Sequence, residues 1–337
     1  MDPRAHLDPA HLAHLDRMKA RLVLRRDAVG WGEHSDDELG AQVAAGDLVR
    51  ILHGAYVQSA EWQPLYPGDR VLARTLAAAR LNAQRGWVFT HSSAASLWGL
   101  PLVGLQDTLV HIATDPKAPG QSSRMIRRHL LELEAGEVTV VEGVRVTSLE
   151  RTLLDLAHSA PAELAVPAAD AGLRRLWGCT RDVPEQVIAE WRHAQTRRLR
   201  RSFRPGVRRA RAVVNMTDPR SDSPVESLSR LQLERLGIPY QVQVPVTLDH
   251  GRTVWMDFEF PGQAAFGEVD GLAKYRDPAL LGARTSADVV LAEKVREDEV
   301  RGVTGKRVVR WTPEHLTSAR ELGTRLRRFG VRVPGLP

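Results

Sequence analysis

Two carboxylates that could bind a metal ion lie on consecutive predicted strands near the end of the chain. In the segment Thr253–Phe260, alternation places Asp257 on the more polar face, and the next strand carries Glu268 and Asp270 on a common face. The turn between the strands centres near Gly262. Because residues equidistant from a hairpin turn face each other, we expect Asp257 to lie opposite Glu268.

Directly opposed carboxylates on neighbouring strands are roughly 5 Å apart and repel each other. A divalent cation would compensate that repulsion, and Mg²⁺ takes one or two carboxylates while keeping several waters. Such waters supply a nucleophile for phosphodiester cleavage. The sequence therefore predicts a Mg²⁺ (or Mn²⁺) site with Asp257 and Glu268 as ligands. The alternative is an exposed polar sheet face whose acids are screened by solvent.

Three further side chains are candidates for the same chemistry, together with Asp270. Glu226 is either a third acid or the N3 residue of a capping box that starts at Ser223. Lys274 would position water or stabilise the transition state, or it is a surface lysine. Lys294 belongs to a dense charge run that is also typical of a solvated helix face.

The elements that must position these residues begin after Asp222. The patterns predict an α/β domain over 218–337, in which a helix at 223–236 precedes three strands. The strands are Gln241–Leu248, Thr253–Phe260 and Ala264–Val269. Asp288–Leu291 is either a short strand or the start of a helix that runs to about Arg301. A strand at Arg307–Trp311 and a helix at Pro313–Phe329 follow.

The first 60 residues have the outline of a winged helix-turn-helix. Helical spacing runs over Leu7–Leu24, and Ser35 is predicted to be the N-cap of a helix over Asp36–Ala45. A predicted hairpin of Leu48–Leu52 and Ala55–Val57 would form the wing. Arg50 and His53 are its candidate DNA contacts. An α+β domain is expected over 61–190.

An arginine-rich segment, predicted to connect the two halves, covers 191–217. Between Arg192 and Thr217 it holds nine arginines and no acid. Its candidate phosphate contacts are Arg197, Arg198, Arg200 and Arg201. A solvated helix face beside a linker is the other interpretation. The net charge of +6 and the pI near 9.9 suit a nucleic-acid partner, although a GC-rich genome enriches arginine equally well.

Composition narrows the class of protein. The single cysteine, Cys179, excludes an intramolecular disulfide and a cysteine-based zinc cluster. No stretch approaches the roughly 20 apolar residues of a membrane span. The polar N-terminus lacks the apolar core of a signal peptide, so we expect a cytoplasmic protein without a membrane partner.

Two features of the N-terminal half are expected to be structural. His91, near the start of a predicted helix, is more often a hydrogen-bonded packing residue than a functional one. Arg151 and Asp155 are spaced i, i+4 on a predicted helix and should form a local ion pair.

Five segments of the C-terminal third carry a family resemblance. They are SPVE at 223–226, Asp257, FGEVDG at 266–271 with Lys274-Tyr275, EKVRED at 293–298 and VVRW at 308–311. Together they resemble the PD-(D/E)xK nuclease superfamily, in the branch of very-short-patch-repair endonucleases. The resemblance covers about 218–330 and implies a restriction-endonuclease-like fold, with Asp257 and Glu268 as metal ligands and Glu226 as the helix acid. The superfamily's lysine position holds Asp270, so Lys274 or Lys294 would have to replace it.

The N-terminal half resembles a second family. The matching segments are GDLVR at 46–50, GAYV at 54–57, THSSAA at 90–95, WGLP at 98–101 and TSLERTLLD at 147–155. They resemble type IV antitoxins of abortive-infection systems, whose winged helix binds DNA, and they cover about 10–175. This resemblance implies DNA and a cognate toxin protein as partners. However, the expected recognition helix begins Asp36-Asp37-Glu38, and acids there repel phosphates.

Two main functions follow from these patterns. The first is a DNA-interacting protein with a Mg²⁺-dependent endonuclease domain. The second is a DNA-binding antitoxin or transcriptional regulator whose nuclease-like domain is inactive. A third, a protein-binding antitoxin scaffold without nucleic acid, agrees with the acidic helix.

Overall fold

The computed structural model describes residues 7–30, 35–115, 122–178, 181–200, 204–270 and 286–334, and within 286–292 the backbone alone. These residues form two compact units. One comprises 1–179 and 190–217, and the other comprises 180–189 and 218–337. Both contain helices and a β-sheet, so the predicted α/β class is confirmed.

The first unit opens with the expected order of helix, helix and hairpin. A capping box between Ser35 and Glu38 fixes the start of the second predicted helix, and Gly46, at φ 85°, ends it. The hairpin pairs Arg50 with Tyr56. The elements are α1 (Pro9–Ala20), β1 (Val23–Leu24), α2 (Arg25–Gly30), α3 (Asp36–Ala45), β2 (Leu48–Leu52), β3 (Ala55–Gln58), α4 (Ser59–Trp62) and α5 (Pro67–Leu81).

The helix expected over Leu7–Leu24 is shorter than predicted. It ends at Ala20, because Val23 and Leu24 pair with Tyr56 and Ala55 in the three-stranded sheet β1-β3-β2. Tertiary pairing therefore overrides the helical spacing of the last apolar residues.

A five-stranded sheet of order β6-β5-β4-β8-β7 follows in the first unit. The pairs β5–β6 and β4–β8 are parallel, and the other neighbours are antiparallel. Apolar side chains of its central strands, including Val110, Ile112 and Val146, are fully buried. The elements are β4 (Val88–Phe89), α6 (His91–Leu97), β5 (Val110–Thr114), β6 (Ile126–Leu130), β7 (Val138–Val141), β8 (Val144–Thr147), α7 (Leu149–Ser159) and α8 (Ala162–Trp177).

The arginine-rich segment is built into the first unit rather than set apart as a connector. It contributes the end of α9 (Glu185–Arg200) and all of α10 (Val207–Met216). Leu199, Val213 and Val214 of these helices are each 2% exposed and belong to the main apolar core. Apolar residues at helical spacing therefore hold α9 and α10 against the core, while Arg197 and Arg200 are exposed.

The second unit contains a four-stranded sheet of order β12-β11-β10-β9. β9, β10 and β11 are antiparallel, and β12 joins β11 in parallel. The ambiguous segment Asp288–Leu291 lies within a helix. The elements are α11 (Pro224–Leu236), β9 (Gln241–Thr247), β10 (Thr253–Phe260), β11 (Ala265–Val269), α12 (Ser286–Thr304), β12 (Arg307–Trp311) and α13 (Ala319–Arg328).

Across the described parts of the chain, no helix is both long enough and apolar enough to cross a membrane.

Candidate functional site

The hairpin of β10 and β11 has the register that the sequence predicts. Phe258 pairs with Gly267 and Glu259 with Phe266. Continued by one residue, this register sets Asp257 opposite Glu268. The two carboxylates proposed as metal ligands therefore occupy neighbouring positions on adjacent strands.

Asp257 lies where the packing of β10 changes. Val254 and Met256 belong to an apolar cluster with Phe266. By contrast, the ring of Phe258 lies 5.5 Å from that of Trp311. The Val269 N–H of the neighbouring strand donates to Asp257 Oδ2 at 2.9 Å, so a side-chain oxygen is the acceptor for this main-chain donor. Val254 and Met256 therefore pack against different partners from Phe258.

Glu268 is held by two arginines that sequence reasoning missed. Its Oε1 accepts a hydrogen bond from Arg296 Nη2 at 2.7 Å, and its Oε2 lies 2.8 Å from Arg310 Nη2. Burial raises the pKa of Glu268, while the two guanidiniums oppose that rise. The two guanidinium groups thus offset part of the repulsion between the opposed acids.

Arg310 is the centre of a larger charge cluster. Beyond Glu268, its guanidinium lies 3.2 Å from Asp270, 3.4 Å from Glu293 and 3.1 Å from Glu297. Within the described residues, four carboxylates therefore surround the guanidiniums of Arg310 and Arg296. The Asp257 carboxylate, opposite Glu268, belongs to the same acidic end of the sheet.

Glu226 serves the helix cap and also reaches the sheet. Ser223 Oγ donates to Glu226 Oε1 at 2.7 Å and accepts from the Glu226 N–H at 3.3 Å. Gln243 Nε2 and the Asp222 N–H both donate to Oε2, each at 2.9 Å. Ser223 therefore caps the helix as predicted, whereas the Glu226 carboxylate accepts from the Asp222 N–H in place of the Ser223 N–H that a capping box uses. Burial raises the pKa of Glu226, which is 8% exposed.

Gln243 links Glu226 to the row of polar residues that crosses the sheet. The pairs Met256–Val244 and Phe258–Val242 place Gln243 opposite Asp257. Gln243 is buried, and its φ of 50° lies in the left-handed region that side chains rarely adopt. The row therefore runs from Gln243 through Asp257 and Glu268 to Arg310, which pairs with Glu268 in the parallel ladder.

The candidate lysines have different outcomes. Lys274 lies outside the described residues. Lys294 is exposed on α12, whereas Arg296, two residues later, bonds to Glu268. Arg296 and Arg310 are thus the cations placed beside the acids. An arginine between Val309 and Trp311 on an apolar strand was the one sequence signal that could have identified Arg310.

The residues fit Mg²⁺ by the chemistry of their donors. Asp257, Glu268 and Asp270 offer only carboxylate oxygens, which are the ligands that Mg²⁺ prefers. An ionised carboxylate has about four acceptor positions, so a guanidinium contact leaves lone pairs for a cation.

Candidate DNA contacts in the first unit are exposed. Arg50 and His53 lie on the wing, where the arginine donates to the imidazole Nδ1. In α3, Asp36 is neutralised by Arg25, whose Nε donates to it at 2.6 Å. The acidic start of α3 therefore carries less charge than its sequence suggests.

The arginines of α9 have unequal environments. Arg197 and Arg200 are exposed, whereas Arg198 forms a 2.6 Å ion pair with Glu137. Arg201 lies outside the described residues. Arg197 and Arg200 are consequently the better-placed candidates for phosphate contact.

The residues expected to be structural in the N-terminal half, Arg151, Asp155 and His91, are all buried. The predicted Arg151–Asp155 ion pair is confirmed, with Nε 3.0 Å from Oδ1. His91 is buried, at 5% exposure, and two other histidines lie beside it.

No family model matches the sequence. The chain is 27% identical over 295 residues to uncharacterized proteins of Mycobacterium tuberculosis from strains CDC 1551 / Oshkosh and ATCC 25618 / H37Rv. Each alignment covers 85% of this chain and 98% of the relative. The descriptions of these relatives name no activity.

Proposed function

We propose that the protein interacts with DNA and that its second unit hydrolyses phosphodiester bonds with the help of Mg²⁺ or Mn²⁺. The observation that carries this proposal is the placement of Asp257 opposite Glu268, within a cluster of carboxylates. When bound there, the cation would supply a water nucleophile and Lewis-acid stabilisation of the phosphate.

The chain's own residues would hold and orient the reactants. Asp257 and Glu268 would hold the cation, and the Val269 N–H fixes one oxygen of Asp257. Arg296 and Arg310 orient Glu268 through direct contacts, as outer partners of ligands commonly do. A guanidinium beside the acids also supplies the fixed positive charge that a developing phosphorane needs, in place of the absent lysine.

The first unit would deliver the substrate. The exposed Arg50, Arg197 and Arg200 offer guanidiniums to the phosphate backbone. The buried apolar side chains of α9 and α10 keep the arginine-rich segment ordered, so these contacts lose less conformational entropy on binding.

Cleavage of supercoiled plasmid by the full chain tests the enzyme. With Mg²⁺ or Mn²⁺ we expect nicking that Glu268→Gln reduces by about 100-fold or more. The matched control is Glu259→Gln on the same hairpin, whose carboxylate pairs with Lys306 and which should retain full activity. Equal nicking by the wild type and Glu268→Gln would assign the activity elsewhere.

One observation favours a second function: both carboxylate oxygens of Glu268 contact arginine side chains, Arg296 and Arg310. A carboxylate so neutralised suits a DNA-binding antitoxin or regulator whose nuclease-like unit is inactive. Two results together would refute the proposed nuclease activity and support this second function. They are binding of duplex DNA without cleavage, and no heat of binding on calorimetric titration with Mg²⁺ or Mn²⁺.

DNA binding itself is tested by the salt dependence of duplex affinity. Replacing Arg197 and Arg200 together by Gln should reduce the slope of log K against log[salt] by about two, one for each lost phosphate contact. Arg328→Gln, an exposed arginine at the end of α13, is the control. An unchanged slope in the double variant would exclude these contacts.

A further inference from the structure

Three histidines from distant parts of the sequence meet in the first unit. His91 begins α6, His111 lies in β5, and His129 lies in β6. Each offers one ring nitrogen such that the three atoms lie within 4.8 Å of one another. The β5–β6 ladder places His129 two residues beyond the position that pairs with His111, which brings the two rings together.

The three rings are in direct contact. The rings of His91 and His129 stack with centroids 3.8 Å apart, and those of His111 and His129 are 5.0 Å apart. His111 Nδ1 and His129 Nε2 are 2.9 Å apart and share one hydrogen bond. Two imidazole nitrogens in this position share a proton, which a metal ion can replace.

One further ring nitrogen of the cluster, His91 Nδ1, is buried without a hydrogen-bond partner among the described residues. Buried polar atoms are nearly always satisfied, so this nitrogen points to a missing ligand. His111 Nε2 lies 3.7 Å from Asp107 Oδ2. It is therefore the Nδ1 atom of His111, 2.9 Å from His129 Nε2, that faces the other histidines.

The backbone of His91 is strained. Its φ is 50°, in the left-handed region, although it is the first residue of a helix and is not glycine. Such conformations cost on the order of 1–3 kcal/mol and persist where the surroundings fix a side chain for a purpose. Here the strain directs the imidazole toward the other two.

A buried carboxylate stands behind the cluster. Asp155 is fully buried, accepts from Thr90 Oγ1 at 2.9 Å, and is paired with Arg151 and Arg204. Its negative charge acts on both His91 and His129.

A cavity of about 200 Å³ adjoins the histidines and would leave one coordination position open to a small ligand. Besides the three histidines, its lining includes Ser92, Asp107 and Arg127. A metal with three histidine ligands and an accessible fourth position is the arrangement of catalytic rather than structural zinc sites.

We propose that His91, His111 and His129 form a three-histidine site for a divalent transition metal, and that Zn²⁺ is the ion it takes. Imidazole donors select Zn²⁺ and its neighbours over Mg²⁺, which prefers oxygen. Zn–N bonds of about 2.0–2.1 Å in tetrahedral geometry set the nitrogens about 3.3 Å apart, so modest ring rotations complete the site. This site is separate from the carboxylates of the second unit and independent of phosphodiester cleavage.

Calorimetric titration of the chelator-treated full chain with ZnCl₂ tests the proposal. We expect one tight equivalent that His111→Asn and His129→Asn each weaken by at least about tenfold. The control His14→Asn, whose imidazole pairs with Asp69 at 2.9 Å in the same unit, should bind as the wild type does. Unchanged affinity in both site variants, or no tight equivalent in the wild type, would overturn the site.

Two further measurements keep the result unambiguous. Glu268→Gln should retain the tight Zn²⁺ equivalent, and its loss there would place the zinc on the carboxylates and refute the proposal. X-ray absorption of the wild-type zinc complex does not depend on any variant folding. Imidazole nitrogens at about 2.0–2.1 Å would support the site, whereas coordination by oxygen alone would overturn it.

Discussion

The substitution Asp218→Asn should destabilise the second unit by removing one buried negative charge. Asp218 is 3% exposed. It accepts from the Arg220 N–H at 3.0 Å, from Nε at 2.9 Å and from Nη2 at 2.6 Å. Burial favours the neutral acid, but the hydrogen bonds of Arg220 and the charge of Arg230 lower the pKa of Asp218 below its ordinary value.

The expected cost is about 2–3 kcal/mol at pH 7. Hydrogen bonds to charged groups contribute about 1.5–3 kcal/mol each, and breaking a buried pair costs about 3–5 kcal/mol. Two features reduce that figure. Asparagine keeps one acceptor oxygen, and Arg220, which is partly exposed, retains an ion pair with Glu185 at 2.6 Å.

The assay is urea unfolding combined with hydrogen–deuterium exchange of peptides from α11, which report on the second unit alone. At pH 7 the globally protected amides of the variant should exchange about 30- to 150-fold faster. The control Asp298→Asn removes an exposed pair with Arg301 at 3.9 Å and should change stability by less than about 0.5 kcal/mol.

The pH dependence gives a second test of the same reasoning. Because the folded-state pKa of Asp218 is lowered, its stabilisation is present above the unfolded value near 3.9 and is lost as the pH falls toward the folded value. The difference in the free energy of unfolding between wild type and variant should therefore narrow between pH 7 and pH 3. A difference below about 0.5 kcal/mol at pH 7, or one that does not narrow, would refute the argument.

Three other changes have defined outcomes. Arg296→Gln should weaken Mg²⁺ binding about tenfold, as seen by calorimetry, because Glu268 loses a side chain that orients it; unchanged or stronger binding would contradict this. Gly267→Ala should cost at least about 1–3 kcal/mol in urea unfolding, since its Cβ would lie 2.4 Å from the buried Trp311 ring; a neutral effect would show that the ring moves. Asp155→Asn should cost about 3 kcal/mol by the same measurement, because Arg151 loses a buried partner; a cost below 1 kcal/mol would show that its remaining contacts suffice.

Local chemistry explains which parts of the fold could be read from the sequence. The α3 boundaries follow from Ser35, Glu38 and Gly46, whose capping preferences act within one turn. The Asp257–Glu268 register follows from a short turn, because a hairpin of few residues leaves little choice of pairing.

Long-range pairing explains what could not be read. Arg310 reaches Glu268 through a parallel ladder between β11 and β12, and parallel partners have no short turn that marks them. His111 and His129 meet for the same reason on β5 and β6. Their spacing matches no local metal motif, so only the order of strands in the sheet reveals the cluster.

The parallel pairing of β11 with β12 also sets an order of events during synthesis. On the ribosome Glu268 emerges before either Arg296 or Arg310, so its charge stays hydrated and uncompensated until the last strand is made. Every residue of β11 is buried in the finished unit, yet the edge that β12 covers remains open in the nascent chain. The hydrated charge of Glu268 then disfavours pairing of β11 with strands of other chains. This protection ends when Arg296 and Arg310 have been synthesised and pair with Glu268.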